Sequence, residues 1–263
     1  MKTLSIVVAA VSSICAAHAG DIRERTEART FNGADGQVFR YRWAEKTAPA
    51  GEKVPLVFFL HGAGERGADN AAQLKHGVAD LVAWLDKNEK GFRLVAGQVP
   101  VGKRWVEVDW NAPRHTMPAE PSETMALALQ LLDQQLADPA VDASRVYVTG
   151  ISMGGFGTWD VVSRRPDTFA AAMPICGGAD LAQAPKIAAL PIWAFHGSRD
   201  GAVPVWRTRE MMSALWAAGS DAHYREYPDM NHDVWTRTYR DPEVLKWFFS
   251  QRRAPQKTES KTL

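Results

Sequence analysis

The sequence predicts an α/β fold, a three-layer αβα sandwich around one mostly parallel, twisted sheet, in a single domain. Short apolar runs alternate with stretches of helical periodicity, which is typical of strands joined by crossover helices. Residues 55–60 form a continuous apolar run, the pattern of a strand buried on both faces. A chain of 263 residues is long enough for one such domain.

The apolar patterns place the elements in order along the chain. Strands are predicted at residues 38–43, 55–60, 92–99, 145–149, 169–175, 191–195 and 222–227. Helices are predicted at residues 122–136, 153–165, 179–189, 205–218 and 241–252. The charged residues 21–29 have no such pattern and are expected to form coil.

The first residues are typical of a secretory signal peptide. Lys2 supplies a positive start, an apolar run follows at 4–14, and residues 17–19 (Ala-His-Ala) fit the small-residue cleavage pattern. The expected organisation is a signal peptide at 1–19, a catalytic domain at 20–252 and a polar, disordered tail at 253–263. We therefore expect an exported protein, periplasmic or secreted, that does not bind a membrane after cleavage.

The charges of the chain are balanced, with 31 Lys and Arg against 30 Asp and Glu. Without a basic excess, neither nucleic acid nor an anionic membrane is an expected partner. No closely spaced set of His, Cys and carboxylate residues is visible, so no metal or other cofactor is expected. After cleavage of the signal peptide, Cys176 would be the remaining cysteine, which excludes an internal disulfide.

A Gly-Ile-Ser-Met-Gly sequence at 150–154 follows a β-branched run and opens a predicted helix. A serine on such a tight strand-to-helix turn is lifted clear of the carboxyl edge of the sheet, and the glycines remove collisions with neighbouring backbone. The N–H groups at the start of the helix point toward negative charge that develops there. The motif therefore indicates Ser152 as a nucleophile.

A serine hydroxyl needs a base, and the base needs an acid that holds its tautomer. In this architecture the chain order is Ser, then Asp or Glu, then His. His232 lies in a polar loop after the last predicted strand and is the expected base. Asp200 follows the preceding strand and is the expected acid, ahead of Asp180, while Asp229 is too close in sequence to His232.

The negative oxygen formed during acyl transfer needs two backbone donors. One is expected to be the N–H of Met153, immediately after the nucleophile. The other is expected from the glycine-rich loop at residues 61–67, with the N–H of Ala63 as the best candidate. His61 at the start of this loop is interpreted as a structural hydrogen-bonding residue.

The chain has ten tryptophans, a high number. Four lie in sequence near the expected site, namely Trp105, Trp110, Trp206 and Trp235. Flat aromatic walls suit aryl or sugar-linked substrates, so these four are candidate substrate-binding residues. For each one taken singly, a place in the hydrophobic core is an equally good interpretation.

The segments that carry these residues resemble those of exported α/β-hydrolases related to feruloyl esterases, acetyl-xylan esterases and polyhydroxybutyrate depolymerases. The similar segments are residues 60–67, 150–160, 174–178, 193–200 and 231–235, and the similarity extends over residues 55–252. The resemblance implies the α/β-hydrolase fold. It also implies the catalytic roles for Ser152, Asp200 and His232 and the donor roles for Ala63 and Met153.

The leading hypothesis is a serine esterase that cleaves small-molecule or carbohydrate-linked carboxylic esters through an acyl-enzyme intermediate. Members of the family that the sequence resembles are also described as prolyl-oligopeptidase-type peptidases. A peptidase or amidase with the same three residues is therefore the alternative. A second alternative, from another class, is a non-catalytic binding protein with the hydrolase fold. The presence of all three residues favours an enzyme.

Overall fold

The computed structural model describes residues 21–253, and the expected signal peptide and the tail beyond Arg253 lie outside this range. An eight-stranded sheet runs through the described chain. Its strands are β1 (Glu27–Asn32), β2 (Val38–Lys46), β3 (Val54–Leu60), β4 (Phe92–Gln98), β5 (Val141–Ile151), β6 (Ala171–Ile175), β7 (Trp193–Gly197) and β8 (His223–Tyr227).

The helices lie on both faces of this sheet. They are α1 (Ile22–Arg25), α2 (Val78–Asn88), α3 (Glu123–Leu136), α4 (Met153–Arg164), α5 (Ala184–Ile187), α6 (Trp206–Ala217), α7 (Trp235–Tyr239) and α8 (Pro242–Ser250). Between residues 21 and 253, none of them is long and apolar enough to cross a bilayer.

The strand order is β1-β2-β4-β3-β5-β6-β7-β8. Strand β2 pairs antiparallel with both β1 and β4. All other neighbouring strands in the sheet pair parallel. In register, Leu60 lies beside Gly150, Ile151 beside Ile175, and Gly197 beside Tyr227. The loops that follow β3, β5, β7 and β8 therefore leave the sheet at the same edge.

Two hydrophobic layers confirm the predicted sandwich. One contains apolar residues of α3, α4 and α6, such as Leu131, Trp159 and Leu215. The other contains apolar residues of α2 and α8, such as Leu81 and Phe248, on the opposite face of the sheet. Because neighbouring residues of a strand point to opposite faces, the continuous apolar run of β3 contributes to both layers.

The expectation of coil at residues 21–29 is wrong. The segment forms α1 and the edge strand β1, which pairs with β2. The guanidinium of Arg42 donates to the Thr26 hydroxyl and to the carbonyl oxygens of Arg23 and Thr26, which satisfies backbone groups at the turn between the two elements. These tertiary contacts order a segment whose local pattern is too charged to predict a strand.

Two helical stretches also differ from the prediction. Helix α2 was not predicted, although Val78, Leu81, Val82 and Leu85 have helical spacing and form its buried face. Conversely, residues 179–189 hold only a 3₁₀ turn and the four-residue α5, because Asp180 caps the 3₁₀ turn and Pro185 lies at the start of the short helix.

Helix α4 lies unusually close to the sheet because its first turn is rich in glycine. A Cβ atom on Gly154 would lie 1.8 Å from the Leu60 carbonyl oxygen, and one on Gly150 would lie 2.3 Å from the Gly154 carbonyl oxygen. A Cβ on Gly155 would lie 2.5 Å from the Ile175 carbonyl oxygen. Only residues without a side chain allow this approach of backbone to backbone.

We expect Gly154→Ala to destabilise the fold by about 3 kcal/mol, because the new methyl group must displace backbone rather than a flexible side chain. The matched control is Gly64→Ala, where a Cβ meets no heavy atom within 4 Å. Chemical denaturation of both variants measures the difference. Equal unfolding midpoints for the two variants would contradict the close approach described for α4.

Candidate active site

Ser152 occupies the turn between β5 and α4 with φ 54° and ψ −116°, a backbone conformation that is strained for a residue with a side chain. Its N–H donates to the Ile175 carbonyl oxygen at 2.8 Å, and its carbonyl oxygen accepts from the Phe156 N–H at 3.1 Å. These two bonds hold the turn from both sides. The serine therefore projects from the edge of the sheet where the loops after β3, β7 and β8 also end.

His232 lies in the loop after β8 and contacts both other residues of the expected triad. Its Nε2 is 2.8 Å from Ser152 Oγ, and its Nδ1 is 2.6 Å from Asp200 Oδ2. Because a carboxylate oxygen accepts, Nδ1 carries the hydrogen and Nε2 is left as the acceptor for the serine hydroxyl. The ring system of Trp235 packs perpendicular to the imidazole, with ring centroids 5.1 Å apart.

Asp200 follows β7 and has no exposed side-chain surface. Its Oδ1 accepts from the N–H groups of Ala202 and Val203 at 2.8 and 2.9 Å, while Oδ2 faces His232 and His196. Burial by itself raises the pKa of this carboxyl. The hydrogen bonds from His196, His232 and the Val203 backbone outweigh burial and hold the pKa below its usual value.

His196 is a second histidine on Asp200, and it precedes this acid in the sequence. It is fully buried, and its Nε2 lies 3.1 Å from Asp200 Oδ2 and 3.0 Å from the Val203 carbonyl oxygen. Both neighbours are acceptors, so Nε2 carries a hydrogen. Its Nδ1 is 2.8 Å from the Thr208 hydroxyl, whose oxygen also lies 2.8 Å from the Gly177 carbonyl oxygen.

Cys176, His196 and Asp200 are the one group of potential metal ligands found within residues 21–253, with ligand atoms within 4.8 Å of one another. They fit a metal poorly. The Nε2 of His196 is occupied by a hydrogen, and burial raises the pKa of the Cys176 thiol well above its usual value. The thiol instead lies 3.3 Å from the His232 carbonyl oxygen. We assign this group to hydrogen bonding.

His61 holds the glycine-rich loop after β3. The Val99 N–H donates to its Nε2 at 2.9 Å, so the hydrogen lies on Nδ1, which donates to the Gly62 carbonyl oxygen at 2.6 Å. Burial lowers the pKa of His61 to about 4, which keeps the ring neutral at neutral pH. The structural interpretation of this residue agrees with these bonds.

Each of the two expected oxyanion donors is next in the chain to a residue at the nucleophile turn. A Cβ on Gly62 would lie 3.6 Å from Ser152 Cβ, so the loop that continues into Ala63 lies against the nucleophile turn. Ala63 begins a 3₁₀ turn, Ala63–Glu65. Met153 is the first residue of α4, where the N–H groups have no acceptor within the helix.

The four tryptophans have different environments. Trp105 is fully buried and donates to the His61 carbonyl oxygen, so its ring offers no face to a substrate in this structure. Trp110 is half-buried beneath the guanidinium of Arg104, 4.4 Å from the ring centroid. Trp235 is buried against His232. Trp206 is 48% exposed at the start of α6, close in sequence to Asp200.

The rival acids form other contacts. Asp180 caps the 3₁₀ turn that follows it and accepts from the Met117 N–H. Asp229 forms an exposed ion pair with Arg199. Neither forms a hydrogen bond with His232 among the residues that the structure describes, whereas Asp200 does.

A sheet of this strand order, with a serine between β5 and α4 and its partners after β7 and β8, defines an α/β-hydrolase. Residues 44–243 match the family described as Phospholipase/Carboxylesterase. The chain belongs to this family.

The chain is also similar to three other proteins. Poly(3-hydroxyalkanoate) depolymerase C of Paucimonas lemoignei is 30% identical over 166 residues, 63% of this chain and 37% of that protein. An uncharacterized secreted protein of Arthroderma benhamiae is 26% identical over 75% of this chain and 23% of that protein. The crystal structure of a thermostable esterase superposes with a TM-score of 0.78 at 32% identity, over 88% of this chain and 64% of that one. The chain thus spans less than two thirds of the length of each.

The lowered pKa of Asp200 predicts a pH-dependent contribution to stability. A carboxyl whose pKa is lower in the folded state stabilises that state above the unfolded pKa of about 4, and this stabilisation is lost as the pH falls through the folded pKa. On lowering the pH from about 6 to about 3, we expect the unfolding free energy to fall more steeply for the wild type than for Asp200→Asn. Urea denaturation at several pH values measures both slopes.

The matched control for this comparison is Asp221→Asn, which changes an exposed aspartate outside the site. It is expected to reproduce the wild-type slope. Parallel slopes for wild type and Asp200→Asn would contradict the lowered pKa.

Proposed function

We propose that the protein is a serine esterase that cleaves carboxylic esters through an acyl-enzyme intermediate. The observation that carries the proposal is the continuous chain of hydrogen bonds from Asp200 through His232 to Ser152, with distances of 2.6 and 2.8 Å. This arrangement gives the hydroxyl a base and gives the base a fixed tautomer. Membership of the Phospholipase/Carboxylesterase family supports the same chemistry.

In the proposed first half-reaction, Ser152 Oγ forms a bond to the ester carbonyl carbon while His232 Nε2 takes the hydroxyl proton. The carbonyl oxygen becomes negative and accepts from the N–H groups of Ala63 and Met153. The bond to the leaving alcohol then breaks as His232 returns the proton to its oxygen. In the second half, water repeats these steps on the acyl-serine, and the carboxylic acid leaves.

The proposed substrates are small-molecule or carbohydrate-linked esters, which the exported enzyme meets outside the cytoplasm. The exposed ring of Trp206 and the half-buried ring of Trp110 are proposed as apolar walls for such groups. Similarity to a poly(3-hydroxyalkanoate) depolymerase and to a secreted protein supports ester cleavage by an exported protein.

Ser152→Ala is expected to lower kcat for 4-nitrophenyl acetate by about 10⁴-fold or more, because the acyl group loses its attachment atom. Labelling by a fluorophosphonate probe is expected to disappear with it. Ser213→Ala, at an exposed helical position, is the control and should retain both. Turnover or labelling that survives in Ser152→Ala would refute the proposal, and faster cleavage of a matched anilide than of the ester would favour an amidase.

Trp206→Ala is expected to lower kcat/KM for 4-nitrophenyl benzoate about three- to tenfold, because an aromatic acyl group loses a stacking surface. The effect on 4-nitrophenyl acetate should be smaller. The matched control is Trp216→Ala, which removes an equally exposed ring (49%) from the other end of α6. Identical losses for the two variants, or for the two substrates, would exclude Trp206 from the binding site.

A further inference from the structure

Glu65 is a buried carboxylate that the proposed mechanism does not use. The residue is 5% exposed and closes the 3₁₀ turn that begins at Ala63. Within residues 21–253, neither of its carboxylate oxygens accepts a hydrogen bond. The one basic group within 4 Å is Nε2 of His76, at 3.7 Å, which is too long for a hydrogen bond.

The donors nearest in sequence and space are directed elsewhere. The guanidinium of Arg66 donates to the carbonyl oxygens of Ala63 and Lys103. The amide of Gln98 donates to Asp69 and to the backbone oxygen of Glu65, not to its side chain. The side-chain atoms of residues 21–253 that are fully enclosed without a partner do not include the Glu65 oxygens, so these oxygens keep a small opening to solvent through which a ligand can reach them.

The carboxylate lies beside the nucleophile. A Cβ atom on Gly62 would be 2.9 Å from Glu65 Oε2 and 3.6 Å from Ser152 Cβ, so both side chains border the same point. Gly62 also directly precedes the proposed oxyanion donor Ala63. A substrate whose carbonyl carbon contacts Ser152 would thus place its neighbouring atoms within reach of Glu65.

His76 and Trp235 form the adjoining wall. The ring of His76 packs on Trp235 with centroids 5.6 Å apart, and Trp235 packs on His232 with centroids 5.1 Å apart. His76 is about a quarter exposed, whereas Glu65 is nearly closed off from solvent. Contacting rings of His76 and Trp235 therefore connect Glu65 to the base His232.

We propose that Glu65 and His76 form a substrate subsite that binds a hydrogen-bond donor carried close to the scissile ester. This inference rests on the proposed esterase function. The ligand chemistry is a hydroxyl group, either on the acyl chain or on the alcohol. A carboxylate at that position is disfavoured because it would face Glu65 at short range. Glu65 is thus a specificity-determining residue, and the substrate class narrows to hydroxylated esters.

Two substrate pairs test the subsite and locate the hydroxyl. 4-Nitrophenyl 3-hydroxybutanoate against 4-nitrophenyl butanoate tests the acyl side, and 1-butyrylglycerol against propyl butanoate tests the alcohol side. In one pair we expect the wild type to prefer the hydroxylated ester about tenfold or more in kcat/KM, the value of a hydrogen bond to a charged acceptor. Glu65→Gln should lose most of that preference and change the plain ester less than about threefold.

The matched control is Glu107→Gln, at an exposed position, which should keep the wild-type preference. A purely structural role for Glu65 predicts that Glu65→Gln slows both members of each pair equally, and this result would overturn the proposal. If Glu65→Gln does not fold, the substrate preferences of the wild type alone test the subsite. Absence of preference in both pairs, or cleavage of 4-nitrophenyl hydrogen succinate as fast as of the butanoate, also overturns the subsite.

The outcome is separable from that of the esterase proposal. Failure of the esterase proposal appears as turnover that persists in Ser152→Ala. Failure of the subsite appears as Ser152-dependent turnover in which the hydroxyl makes no difference.

Discussion

The contact of backbone with backbone at the turn of Ser152 is the constraint on which the site depends. The turn is confined between the end of β3 and the end of β6, where Cβ atoms on Gly154 and Gly155 would lie 1.8 and 2.5 Å from carbonyl oxygens. This confinement maintains the positive φ of the serine, which would otherwise relax. The same compression brings the loop after β3, with its N–H groups, against the nucleophile.

The acid end of the site is rigid in a different way. Asp200 receives hydrogen bonds on both oxygens, from two backbone N–H groups and from two histidine rings. The carboxylate therefore cannot rotate without breaking several bonds, and it aims one oxygen at His232. Since His196 also connects through Thr208 to the Gly177 carbonyl oxygen, the loops after β6 and β7 are joined through this residue.

The sequence predicted the sheet, its layers and the spatial meeting of Ser152, Asp200 and His232, because parallel strands carry their following loops to one edge. It did not predict roles for Glu65, His76 or His196. Their significance depends on which groups face them in three dimensions, and no spacing along the chain reports that. Trp105 illustrates the same limit. Its position in the sequence suggested a substrate-binding residue, but its ring packs against His61 and is fully buried. The edge strand β1 was missed because its order comes from β2 and Arg42.

The enclosed thiol of Cys176 lies at the same edge of the sheet as the site and has a practical use. It is the sole cysteine between residues 21 and 253, it is fully enclosed, and it sits with φ 50° between the nucleophile turn and the acid. Alkylating reagents reach such a sulfur only when this edge of the sheet opens. The rate of its modification therefore reports how often the site comes apart locally, so that a native thiol serves as a built-in sensor of active-site integrity during storage or heating.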